Sequence, residues 1–104
     1  MAKYLFVYHG GSKPKSEEEG KKAMAAWGQW FASVGKDVVD GGNPVGVSTT
    51  VTGDGKVIGN GGANPATGYS VIEAKNLEDA IAKAKGCPIL TSGGSVELAE
   101  TFAP

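Results

Sequence analysis

The chain has 104 residues, 40% hydrophobic and 20% charged, with a formal net charge of −1; that balance describes one small globular domain, residues 1–104, and not a disordered tail. Acidic and basic residues are interspersed, so nothing in the chain recruits nucleic acid or an anionic membrane surface. The lone cysteine, Cys87, cannot form an internal disulfide, no run is long and apolar enough to span a bilayer, and the expected compartment is the cytoplasm.

From Lys3 to Tyr8 both alternating faces are apolar, Leu5 and Val7 on one and Tyr4, Phe6 and Tyr8 on the other. Such a strand is covered on both sides. Ser16 and Glu19 then form an S-x-x-E capping signal, and Glu17 and Glu18 suit the positive end of a helix. Met24, Trp27, Phe31 and Val34 fall on one stripe of that helix, with Ala23, Ala26 and Trp30 flanking it, and Gly35 ends it.

A short strand, Val38–Asp40, stops at Gly41-Gly42-Asn43-Pro44. Strands 47–51 and 56–58 flank the turn Thr52-Gly53-Asp54-Gly55, whose Asp-Gly step favours a hairpin. A glycine-rich loop fills 59–68, and Tyr69–Ala74 is a strand. Asn76 caps a second helix with Leu77, Ala80, Ile81 and Ala84 on its apolar face; Gly86 stops it and Pro88 prevents its continuation. A final strand, 95–101, sets Val96 and Leu98 against a wetter face of Ser95, Glu97 and Ala99.

The element order is βαββαβ with a hairpin insertion, which predicts a ferredoxin-like α+β fold with both helices on one face of an antiparallel sheet. The other sheet face then needs a cover, and a second copy of the same sheet, related by a two-fold axis, is the economical one.

The residues that carry this pattern resemble the YCII-related proteins. They are the opening Lys3-Tyr4-Leu5-Phe6-Val7-Tyr8, the helix end from Ala26 to Gly35, and the turn Val38-Val39-Asp40-Gly41-Gly42-Asn43-Pro44. Gly68–Ala74, Asn76–Pro88 and Gly93–Leu98 complete a likeness spread over nearly the whole chain. The resemblance implies a dimeric α+β barrel, two ferredoxin-like sheets face to face. It also implies small-molecule chemistry, since some members are thought to use a His–Asp pair and one activity is dehydrochlorinase-like. Their histidine lies on the first helix, at the position Met24 occupies here, whereas the aspartate-bearing turn matches at Asp40.

The only histidine, His9, ends the first strand and is the one ready acid or base near neutral pH. Asp40 could orient it or act as a base, and the two are the candidate catalytic pair; the plainer reading of His9 is a polar strand-end residue that hydrogen-bonds a loop carbonyl, and Asp40 is equally readable as organising its own turn. Candidate ligand contacts are Asn43 and Asn64, each before a proline, with Trp30 as an aromatic wall and Tyr8 as a polar lining. For Asn43 and Asn64 turn structure is the plainer reading, and for Trp27 and Phe31 core packing, whereas Trp30, flanking the stripe, is the better pocket or interface candidate.

No G-x-G-x-x-G segment precedes a helix, no phosphate loop exists, and one His with one Cys gives no metal-ligand spacing, so neither cofactor nor metal is expected. Cys87 follows a helix C-terminus, which disfavours a thiolate nucleophile. Two readings stand: a homodimeric, cofactor-free enzyme acting on a small molecule by elimination or isomerisation, or a non-catalytic small-ligand-binding or accessory dimerisation module.

Overall fold

The computed structural model describes residues 1–104. Its strands are β1 (Ala2–His9), β2 (Val38–Asp40), β3 (Thr50–Val51), β4 (Val57–Ile58), β5 (Ala66–Ala74) and β6 (Ser95–Glu100), and its helices α1 (Glu17–Val34) and α2 (Leu77–Ala84). Four strands form one sheet in the order β2-β5-β1-β6, every neighbouring pair antiparallel. β3 and β4 form a separate two-stranded ribbon. The chain is thus a small α+β protein.

Alternation along β1 and β5 divides the sheet into two faces. Tyr4, Phe6 and Tyr8 stand with Ser70, Ile72 and Ala74 on the face that meets the helices, and all six are buried. Trp30 and Val34 of α1, Ala80 and Ala84 of α2, and Cys87 close this core. Aromatic rings knit it together, with Phe6 6.2 Å and Tyr8 6.4 Å from Trp30 between centroids. The opposite face carries Leu5, Val7, Tyr69 and Val71, each half-buried and with no helix over it.

Both helices start where their caps dictate. The Ser16 hydroxyl accepts from the Glu19 N–H at 3.1 Å, and Asn76 accepts from the Asp79 N–H at 2.9 Å. In each case the acidic residue reaches back one position before the cap, Glu19 to Lys15 N–H and Asp79 to Lys75 N–H. Gly35 ends α1 at φ 69°, a left-handed angle that glycine takes at no steric cost.

The helix faces differ from the expected stripes. Met24 is 77% exposed, and Trp30, expected at the flank, is buried in the core with its indole N–H donating to the Lys83 carbonyl at 2.9 Å. The seam runs through Ala23, Ala26, Trp27, Trp30 and Val34, because seating the Trp30 ring over Phe6 and Tyr8 turns Met24 away from the sheet. On α2 the small Ala80 and Ala84 face the sheet, leaving Leu77 and Ile81 exposed at its side. β5 begins at Ala66, earlier than the glycine-rich sequence suggests, because Ala66–Gly68 pair with the end of β1. The ribbon strands are shorter than expected, two residues each.

Candidate functional site

His9 closes β1 just past a bulge, where the pairing with β5 skips from Tyr8↔Gly68 to His9↔Ala66. The Thr67 hydroxyl spans the bulge, within hydrogen-bond reach of the Tyr8 and Gly10 carbonyls. On its other edge β1 pairs with β6, Val7 opposite Glu97 and His9 opposite Ser95. Glu97 and His9 are therefore diagonal neighbours on the sheet face that lacks helices. The His9 Nε2 lies 2.8 Å from Glu97 Oε1, with the His9 side chain 10% exposed and that of Glu97 66% exposed.

The charged state of this imidazole is favoured. The Glu97 hydrogen bond raises the His9 pKa above its ordinary 6.5; burial opposes the shift, and the carbonyls of Pro65 and Asn64 beside the ring reinforce it. Nδ1 is buried with no hydrogen-bond partner. A proton on Nε2 would be donated to Glu97 Oε1, and the exposed member of the pair is Glu97.

Asp40 sits elsewhere. Its Oδ1 accepts from the Gly42 N–H at 2.9 Å, so the carboxylate closes its own turn. Gly42 takes φ 72°, and a Cβ there would fall 1.7 Å from the Tyr69 carbonyl oxygen, so this turn admits only glycine. Asp40 pairs opposite Val71 while His9 pairs opposite Ala66, with β5 between them. That separation is roughly 15–20 Å by strand spacing and rise, and no hydrogen bond joins the two.

The other sequence candidates divide across the sheet. Tyr8 and Trp30 belong to the helix face. The Tyr8 hydroxyl donates to Ser70 Oγ at 2.7 Å, and Ser70 donates to the Gly41 carbonyl at 2.7 Å, a buried chain that ties β1 and β5 to the Asp40 turn. Burial pushes the Tyr8 hydroxyl pKa far up, so it stays protonated. Asn43 extends the sheet, its carbonyl accepting from Tyr69 N–H at 3.2 Å. Asn64 lies against the His9 ring through its carbonyl. Of the sequence candidates, the structure brings only Asn64 to His9.

Two shallow grooves mark the surface. One, of about 390 Å³, runs between α1 and the 3-10 turn Pro88–Ser92, floored by Trp30. The second, of about 330 Å³, lies where the chain enters β5, lined by Val45, Val47, Ser48, Asn60, Pro65 and Thr67 among others. Pro65, whose carbonyl lies beside the His9 ring, is one of its walls, while His9 and Glu97 themselves do not line it. No cluster of three or more His, Cys, Asp or Glu side chains stands close enough to hold a metal ion. Cys87 is buried, and burial pushes its thiol up to about 11. No helix is long and apolar enough to cross a membrane.

Glu97 is the site residue that sequence reasoning missed. Its signal was the alternation of the last strand, which put Glu97 on the wetter face. The strand order, which sets β6 beside β1, was needed to give it a partner.

No protein-family profile matches the chain, and no curated protein sequence does. Among solved structures it is similar to 5-chloro-2-hydroxyhydroquinone dehydrochlorinase (TftG) from Burkholderia phenoliruptrix AC1100, determined in complex with 2,5-dihydroxybenzoquinone. The TM-score is 0.56 at 15% identity, over 96% of this chain and 95% of that one. At that identity the likeness is one of fold, and it agrees with a YCII-related fold.

Proposed function

We propose that this chain is a YCII-like small-molecule enzyme that works without a cofactor, as a homodimer of ferredoxin-like sheets packed face to face into an α+β barrel. His9 and Glu97 form its acid–base pair. The observation that carries this reading is the 2.8 Å contact between a buried imidazole and an exposed carboxylate on the uncovered sheet face. The dimer is supported by Leu5, Val7, Tyr69 and Val71, an apolar row that no element of the chain covers.

A ligand on that face meets Glu97 first, since the imidazole behind it is buried. The carboxylate takes a proton from a carbon or hydroxyl of the ligand. In an elimination, the freed electron pair forms the new double bond and the leaving group departs from the adjacent carbon with its own pair. In an isomerisation the proton returns to a different carbon. The His9 imidazolium holds the carboxylate in place and stabilises its charged form between turnovers.

Chloride release from 5-chloro-2-hydroxyhydroquinone and deuterium uptake by a panel of small enolisable ketones and phenols in D₂O test the reading. Wild-type protein should exceed buffer on at least one of these, and Glu97→Gln and His9→Ala should each lose on the order of 10²-fold. Rates equal to buffer throughout would overturn the enzyme. Binding of 2,5-dihydroxybenzoquinone without turnover would favour the second reading, a non-catalytic ligand-binding module. That reading has its own support in Met24, which stands exposed where the family's helix histidine would be.

A further inference from the structure

The hairpin between β2 and β5 is an apolar arm with little of its own chain to rest on. Val47 is 92% and Val51 69% exposed, and Val57 and Ile58 are exposed beside them. β3 and β4 pair only with each other, and the arm's side-chain hydrogen bonds, from Thr50 to the Asn60 carbonyl and from Thr52 to Asp54, are internal to it. A two-stranded hairpin is marginal alone in water.

The whole molecule shows the same deficit. Its radius of gyration is 14.9 Å, against about 13 Å for a compact chain of this length. Its accessible surface is 7048 Å², against roughly 5,400 Å² for a compact monomer of this mass. The excess, about 1,600 Å² per chain, amounts to about 3,200 Å² over two copies, within the range of obligate homodimers.

We propose that the arm docks on a second copy of this chain, so that the partner subunit holds the groove beside His9 in shape. The proposal rests on the homodimer reading above and adds the arm to its interface. Charge favours a second copy as the occupant. The arm's only charged residues, Asp54 and Lys56, cancel and approach each other to 4.0 Å, so two arms meet an apolar neighbour without like-charge repulsion. The groove of about 330 Å³ has the two ends of the arm as its walls, Val45–Ser48 on one side and Asn60–Thr67 on the other. The carbonyls of Pro65 and Asn64, at the arm's base, lie beside the His9 ring. A partner that fixes the arm therefore fixes the groove and the carbonyls beside the imidazole together.

Hydrogen exchange of amides 47–63, followed by mass spectrometry while the full chain is diluted through dimer dissociation, reads the arm directly. Protection in the dimer should fall at least about tenfold as dimers separate, while β1 and β5 stay protected. In Val51→Asp/Val57→Asp the dimer constant should weaken at least about tenfold, with an unchanged far-ultraviolet circular dichroism spectrum. A dimer whose arm exchanges at unprotected rates would overturn the arm and leave the sheet-to-sheet dimer standing. Arm protection that persists in monomers would do the same. If dissociation unfolds the chain, the double variant decides alone, and an unchanged dimer constant overturns the proposal. A wild-type chain that is monomeric throughout would remove both readings.

Discussion

His9 of β1 and Glu97 of β6, 88 positions apart in the chain, meet at 2.8 Å on the sheet face that carries no helix. The imidazole is buried and the carboxylate is open to solvent. This pairing leaves Asp40 to its own turn and gives the histidine a different carboxylate from the one the sequence put forward.

The first prediction follows from that contact. Glu97→Gln should lower the His9 pKa toward its ordinary 6.5, because the hydrogen bond to Glu97 is the largest cause of its rise. Asp40→Asn should leave it unchanged. NMR titration of the single histidine separates the two, and a shift on Asp40→Asn equal to that on Glu97→Gln would contradict the assignment.

The same contact makes stability depend on pH. A folded-state pKa above the unfolded value means that the contribution is fully present below about pH 6.5 and is lost as pH rises through the folded pKa. Urea denaturation at a series of pH values should show wild-type protein losing its advantage over Glu97→Gln from about pH 6.5 upward. Parallel curves for the two proteins would show that the pair is not linked to folding.

Neighbouring glycines of the Asp40 turn should respond oppositely to alanine. Gly42→Ala, with φ 72° and a Cβ driven into the Tyr69 carbonyl, should cost more than about 2 kcal/mol. Gly41 has nothing within 4 Å of its Cβ position, so Gly41→Ala should stay within about 0.5 kcal/mol. Thermal melts of the two variants that coincide would refute the turn geometry.

In the core, Phe6→Ala should cost about 3–5 kcal/mol, since its side chain is fully buried against Trp30. Tyr8→Phe should cost only about 1–2 kcal/mol, because Ser70 keeps its own bond to the Gly41 carbonyl. Denaturant midpoints that rank Tyr8→Phe as the more damaging change would mean that the hydroxyl chain outweighs the packing.

Cys87 should be inert in the folded state. Burial both hides the thiol and raises it to about 11, so little thiolate exists near neutral pH. Labelling by a disulfide reagent should follow the unfolding rate, at least about 100-fold below that of a free thiol. Fast labelling of native protein would contradict this burial.

What the sequence determined by itself is local and periodic. The Ser16 and Asn76 caps, the Gly35 stop and the two-period alternation of β1 act over a few residues, so both helices and the sheet's two faces could be read from the chain alone. The Asp40 turn was legible for the same reason, since Gly42 and the Asx bond of Asp40 are neighbours in the chain. Tertiary structure decided what depends on which strands lie side by side and on how large rings fit. Strand order brought Glu97 to His9 and set β5 between His9 and Asp40. Packing of the Trp30 ring on Phe6 and Tyr8 rotated α1, burying Trp30 and exposing Met24. Helical periodicity marks an apolar stripe but not which large side chain sits at its centre; the shape of the sheet beneath it selects that residue.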